Sequence, residues 1–99
     1  MFLESLQGQT IRTVRGRENR VLAVGPERVL VWTNRSPGGR PVPVRWVQEA
    51  LDQIHQDGEI EISVASVGYR SAFIGAVLLQ LPGTALVAGA SPPRIRLTR

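Results

Sequence analysis

Between residues 43 and 64 the hydrophobic period changes across a single glycine. Val44, Val47, Leu51 and Ile54 recur at three- and four-residue spacing, which lines one face of an α-helix from about Pro43 to Gln56. Pro43 suits the first helical turn, where an N–H would have no partner. Arg45, Gln48, Glu49, Asp52 and Gln53 form the outer face, and Gly58 stands where a left-handed residue ends a helix. Beyond it "EIEISVA" alternates: Ile60, Ile62 and Val64 fall on one side, Glu61, Ser63 and Ala65 on the other. That is the period of a strand. A chain that switches period so abruptly folds as α+β. Periodicity leaves open whether the strand runs through Val64 or turns at Ser63 into a short helix, "SVASVG".

The flanks complete the architecture. Upstream, "QTIRTVRGRENRVLAVGPERVLVWTN" reads as an antiparallel β-meander. One strand covers Thr10 to Val14, a second Val21 to Val24, and a third Val29 to Trp32 after a Gly25-Pro26-Glu27 turn. Phe2, Leu3 and Leu6 predict a short helix stopped at Gly8. "NRSPGGRPVP", with three prolines and two glycines, reads as a loop. Downstream, a helix is expected from about Arg70 to Leu81, stopped by Pro82-Gly83. "ALVAG" and "RIRLT" then form two strands around Ser91-Pro92-Pro93.

Helix, short strand, possible short helix, long helix and hairpin is the order of a winged helix. Its second helix reads and its hairpin is the wing. The expectation is an α+β fold: a winged-helix-like domain preceded by an N-terminal antiparallel β-meander. One domain spans 1–99, with a β-rich part at 1–34 and a winged-helix-like part at 43–98. The chain stops just after its last strand, as a domain excised from a longer protein would.

Ninety-nine residues support one modest core. Without cysteine, disulfides and thiolate metal sites are excluded. The longest apolar run, Ala72 to Leu79, is too short to span a bilayer, and no secretory signal opens the chain, so a cytoplasmic location is the default. Charge is segregated: eight arginines against Glu4, Glu18 and Glu27 in residues 1–48, five acids and no base in 49–61, and four arginines and no acid in 62–99. Every base is arginine. The guanidinium fork suits phosphates and guanine edges, although a GC-rich genome would produce the same bias.

On a helical projection of residues 69–81, Phe73, Ile74, Val77, Leu78 and Leu81 gather on one face. Ser71, Ala72, Gly75 and Ala76 gather on another, small enough for a second surface to come close. Were that surface a DNA groove, Ser71 would bond a phosphate or base edge, and the alanines would touch a base methyl. Tyr69 and Arg70 at the leading end would add stacking and charge. The competing assignment has the N-terminal sheet or another helix cover this face, and Arg70 pair with Asp52, Glu59 or Glu61. Arg35, Ser36 and Arg40 precede the first helix in a segment suited to gripping phosphates. It lacks the lysine and spacing of a P-loop. Arg15, Arg17, Asn19 and Arg20 make a second basic loop. Arg94 and Arg96 alternate in the last strand and point to one face of the wing. Trp32 and Trp46 serve either core packing or base stacking. Catalysis finds no support: the single histidine, His55, has no partner for a zinc site, and no nucleophile has a base at recognisable spacing.

"TNRSPGGRPVPVRWVQEALD" and "GEIEISVASVGYRSAFIGAVLLQLPG", above all "RSPGGRPVP" and "GYRSAFIGAVL", resemble a small N-terminal module of actinobacterial restriction-type endonucleases that carry an HNH nuclease further along. The resemblance covers roughly residues 2 to 83. It implies a non-catalytic DNA-reading domain, sensing modified, for example methylated, bases for a linked nuclease. No HNH residues occur in this chain, so no nuclease activity carries over. The combined expectation is a double-stranded DNA-binding module without cofactor, membrane or metal. Tyr69, Arg70, Ser71, Ala72 and Gly75 would lie in the major groove, and Arg35, Ser36, Arg40, Arg94 and Arg96 on phosphates. The alternatives are a protein–protein interaction module that uses the small helix face, and a single-strand binder that stacks bases on Tyr69 and the tryptophans.

Overall fold

The computed structural model describes residues 2–63 and 71–98. After a short helix α1 (Phe2–Ser5), strands β1 (Thr10–Arg12), β2 (Glu18–Val24), β3 (Arg28–Thr33) and β4 (Ser36–Pro43) form an antiparallel sheet in chain order. Helix α2 (Val44–Asp57), strand β5 (Glu59–Glu61), helix α3 (Ser71–Leu78) and strands β6 (Thr84–Leu86) and β7 (Arg94–Leu97) follow. The second sheet has the order β5-β7-β6 and is antiparallel throughout. The α+β class and the N-terminal meander agree with the sequence. Of the short helix expected at 63–68, residues 64–68 lie outside the described residues, as do Tyr69 and Arg70.

The "NRSPGGRPVP" segment corrects the loop expectation. Only Asn34 and Arg35 turn, and Ser36–Pro43 is the longest strand of the sheet. Its composition misleads because β4 is an edge. A proline lacks the N–H that a central strand must donate, but an edge strand needs donors at alternate positions only. Pro37, Pro41 and Pro43 occupy one parity, leaving Arg40 and Val42 to face Val31 and Val29. The glycines also serve the strand. Between the pairs Val31–Arg40 and Thr33–Ser36, β3 has one residue and β4 has three, a bulge that bends the hairpin. Gly39 sits in it at φ +96°, where a Cβ would lie 2.7 Å from Leu30 Cγ. Both the dihedral and the space require glycine.

One face of the meander is the core face. Cross-strand partners share a side, so Ile11, Asn19, Val21, Val29, Val31 and Val42 point the same way, and all are buried. α2 adds Val47, Ala50 and Ile54 to this core. It is capped by Gly58 at φ 77°, whose N–H donates to the Ile54 carbonyl at 2.8 Å. Pro43 sits one residue earlier than expected, at the extended N-cap.

α3 departs furthest from expectation. Phe73, Ile74, Gly75, Ala76, Val77 and Leu78 are all buried, so the helix is apolar because it is core all round. The small face receives the same chain: a Cβ on Gly75 would meet Ile62 Cγ2 at 3.1 Å and Val14 Cγ2 at 3.5 Å. Gly75 therefore has no route to a DNA groove, and neither has Ala76. The cover comes from Val14, just beyond β1, and from Ile62, just beyond β5, rather than from another helix. The helix also ends at Leu78 rather than Leu81. Its last turn tightens, with Gln80 donating to Val77 and Leu81 to Leu78, before Pro82. The Thr84 hydroxyl then donates to the Leu78 and Leu81 carbonyls, both at 2.9 Å.

Candidate functional site

The core does not extend to the tip of the meander. Beneath the β3–β4 hairpin, between its inner face and the start of α3, lies a half-open cavity of about 820 Å³. Val31, Val42 and Phe73, all nearly inaccessible, form its apolar floor where it meets the core. Trp32 lines it from the irregular stretch of β3, and Ala72, exposed, lines it from the first turn of α3. Thr33, Asn34, Ser36, Arg35 and Arg40 come from the hairpin, Thr13 and Arg17 from the β1–β2 connection, and Glu18 and Asn19 from the start of β2. A two-residue turn and a bulge, both local consequences of "NRSPGG", thus bring two arginines to the side of a third from another loop.

The electrostatics are one-sided. Three arginines face the cavity with one carboxylate, Glu18, which Arg12 already engages at 3.2 Å. Arg40 donates through Nε to the Ser36 hydroxyl at 2.6 Å, which braces the guanidinium across the bulge. Among the described residues Arg17 and Arg35 have no hydrogen-bond or ion-pair partner for their side chains. Three cations around one opening make a positive potential that attracts an anion.

Two polar side chains sit deep in the wall. Thr13 is 8% exposed, and its hydroxyl accepts from the Arg17 backbone N–H at 3.1 Å, which shapes the loop that carries Arg17. Asn19 is 6% exposed, and its Nδ2 donates to the Glu18 carbonyl at 2.8 Å. Its Oδ1 accepts no hydrogen bond among the described residues, yet no buried side-chain polar atom is left unsatisfied. Oδ1 is therefore not sealed from solvent, and Asn19 lines the cavity.

Of the residues singled out from sequence, Arg35, Ser36, Arg40 and Ala72 come together here. Ser71 is half-buried beside Ala72 but does not line the cavity. Gly75 is sealed beneath Ile62 and Val14. Arg94 and Arg96 do share a face, but with Glu59 and Glu61, their cross-strand partners. Arg94 Nε lies 2.7 Å from Glu59 and its Nη1 3.6 Å from Glu61, so its charge is balanced within the sheet. A phosphate contact by Arg94 would have to compete with these two carboxylates. Tyr69 and Arg70 lie outside the described residues. Sequence reasoning missed Thr13 and left Asn19 in a solvated loop. Asn19 precedes Val21, a core position of β2, by two residues, so the strand period was a usable signal. Trp46 half-packs against the core from α2, whereas Trp32 belongs to the cavity.

Among the described residues no three His, Asp or Glu gather as a metal site would require, and no helix is long and apolar enough to cross a membrane. Compared with models of protein families, with curated proteins and with solved structures, the chain matches none.

Proposed function

We propose that this chain is a DNA-binding module that grips its target with the basic cavity under the β3–β4 hairpin. The observation that carries the reading is the convergence of Arg17, Arg35 and Arg40 with Trp32 around one opening. Guanidinium groups bind phosphates as forks, and an aromatic ring among them stacks a base. The resemblance of "RSPGGRPVP" to the DNA-reading modules of actinobacterial HNH endonucleases includes two of these residues, Arg35 and Arg40. It extends the reading to a linked nuclease domain and to a modified base as target. The order α2, β5, α3, β6, β7 and the pairing of the first strand with the last support a winged-helix-like kinship for the C-terminal half.

The mode of reading differs from a recognition helix in the major groove. Only the first turn of α3 reaches the opening, since Gly75 and Ala76 are core. The same burial leaves Ser71 and Ala72 as the part of the small face that a partner helix could touch.

Gel shift or fluorescence anisotropy with duplexes, unmodified and methylated, across a salt series tests the proposal. Affinity is expected to fall steeply as salt rises, because phosphate binding releases counterions. Ala72→Glu places a carboxylate at an exposed position in the opening and should abolish binding while the fold persists. Binding that survives Ala72→Glu, or the lack of any duplex binding at low salt, would overturn it.

A further inference from the structure

We infer that the cavity admits a single unstacked base of the DNA, with the flanking phosphates held by the rim arginines. The inference rests on the DNA-binding reading and names what enters the site.

Shape is the first reason. A protein that reads paired bases in the major groove must project a helix or ribbon into it. This basic site is concave, so it receives a group and does not insert one. Its capacity of about 820 Å³ falls in the range of small-ligand pockets, about 300–1,000 Å³. A duplex cannot enter such a space, but one nucleotide swung out of the stack can.

The lining is the second reason. A base has two apolar faces and a polar edge. The cavity offers Trp32 in its wall and Val31, Val42 and Phe73 at its floor for the faces. For the edge it offers Asn19 Oδ1, an acceptor on a side chain more than nine-tenths buried, with the amide oriented by the Glu18 carbonyl. An acceptor held in that way suits a donor on the base edge, such as the exocyclic amino group of cytosine or adenine. Arg17 and Arg35, without partners among the described residues, and Arg40, braced by Ser36, stand at the rim, where the backbone of an extruded nucleotide must pass.

Opening a base pair costs free energy, and least where the pair is already defective. The test compares fluorescein-labelled duplexes of one sequence that differ at one central cytosine: paired with guanine, mismatched with adenine, or opposite an abasic site. The full chain with Trp46→Phe leaves Trp32 as the one tryptophan, a reporter in the cavity wall. The mismatched and abasic-partner duplexes are expected to bind about tenfold or more tighter than the matched one, with quenching of Trp32 fluorescence. Trp32→Ala should erase the preference and Trp32→Phe should keep most of it, which separates stacking from a folding defect. Equal affinity for all three duplexes with Trp32 unquenched would overturn the inference and leave the DNA-binding reading standing. If none of the duplexes binds at low salt, both fall.

Discussion

Arg40 Nε donates to Ser36 Oγ at 2.6 Å, so the two ends of the β4 bulge are tied by their side chains as well as by their strand. The bond orients the guanidinium toward the cavity while its outer nitrogens remain for a ligand. Arg40 is cross-strand partner to Val31, so it stands on the core face of the sheet at the place where the core gives out. A charged residue there is tolerable only because the space beside it is open to solvent.

Arg35→Ala and Arg40→Ala should each weaken duplex binding and lower the steepness of its salt dependence by about 0.9 for each phosphate no longer neutralised. Ser36→Ala should have the smaller effect of removing a positioning bond, about 0.5–1.5 kcal/mol. Anisotropy titrations between about 50 and 200 mM salt measure both quantities. An unchanged slope in all three variants would place the phosphates elsewhere.

Arg94→Gln should leave DNA affinity and its salt slope unaltered, since Glu59 and Glu61 already balance this arginine. The cost to stability should be small, about 0.2–1 kcal/mol, because the pair is well exposed. A fall in affinity comparable to that of Arg35→Ala would put the β6–β7 hairpin back into the interface.

Gly75→Val should destabilise the fold by about 1–3 kcal/mol in urea unfolding, through overpacking. Even a first carbon at this position stands 3.1 Å from Ile62, and valine adds two more. A variant as stable as the parent would mean that the small face of α3 is open after all.

Gly39→Ala combines two penalties, a positive φ and a clash with Leu30. The left-handed backbone alone costs about 1–2 kcal/mol. Adding Leu30→Ala should relieve the clash but not the dihedral, so the two substitutions should be non-additive in thermal unfolding. Simple additivity would show that Leu30 plays no part.

How much could be read from the sequence depended on the range of the interaction that decides each element. The alternation of Ile60 and Ile62, the stripe of Val47 and Ile54, and the stop at Gly58 are local, and the structure follows them. β4 was hidden because proline content marks a loop unless the strand lies at an edge, and sheet position is not a local property. Arg35, Ser36, Arg40 and Ala72 were legible as contact residues by chemistry. That they share one opening with Asn19 and Trp32 was not.

The sequence by itself determined the α+β class, the meander, the two main helices and the basic character of the "NRSPGGR" segment. Each of these follows from backbone preference and hydrophobic period within a few residues. Tertiary structure alone decided which small face was covered and which arginines have no partner among the described residues. A slim helix face is equally suited to a foreign groove or to the chain's own Ile62 and Val14, and nearby apolar surface of the same molecule is always the more concentrated partner.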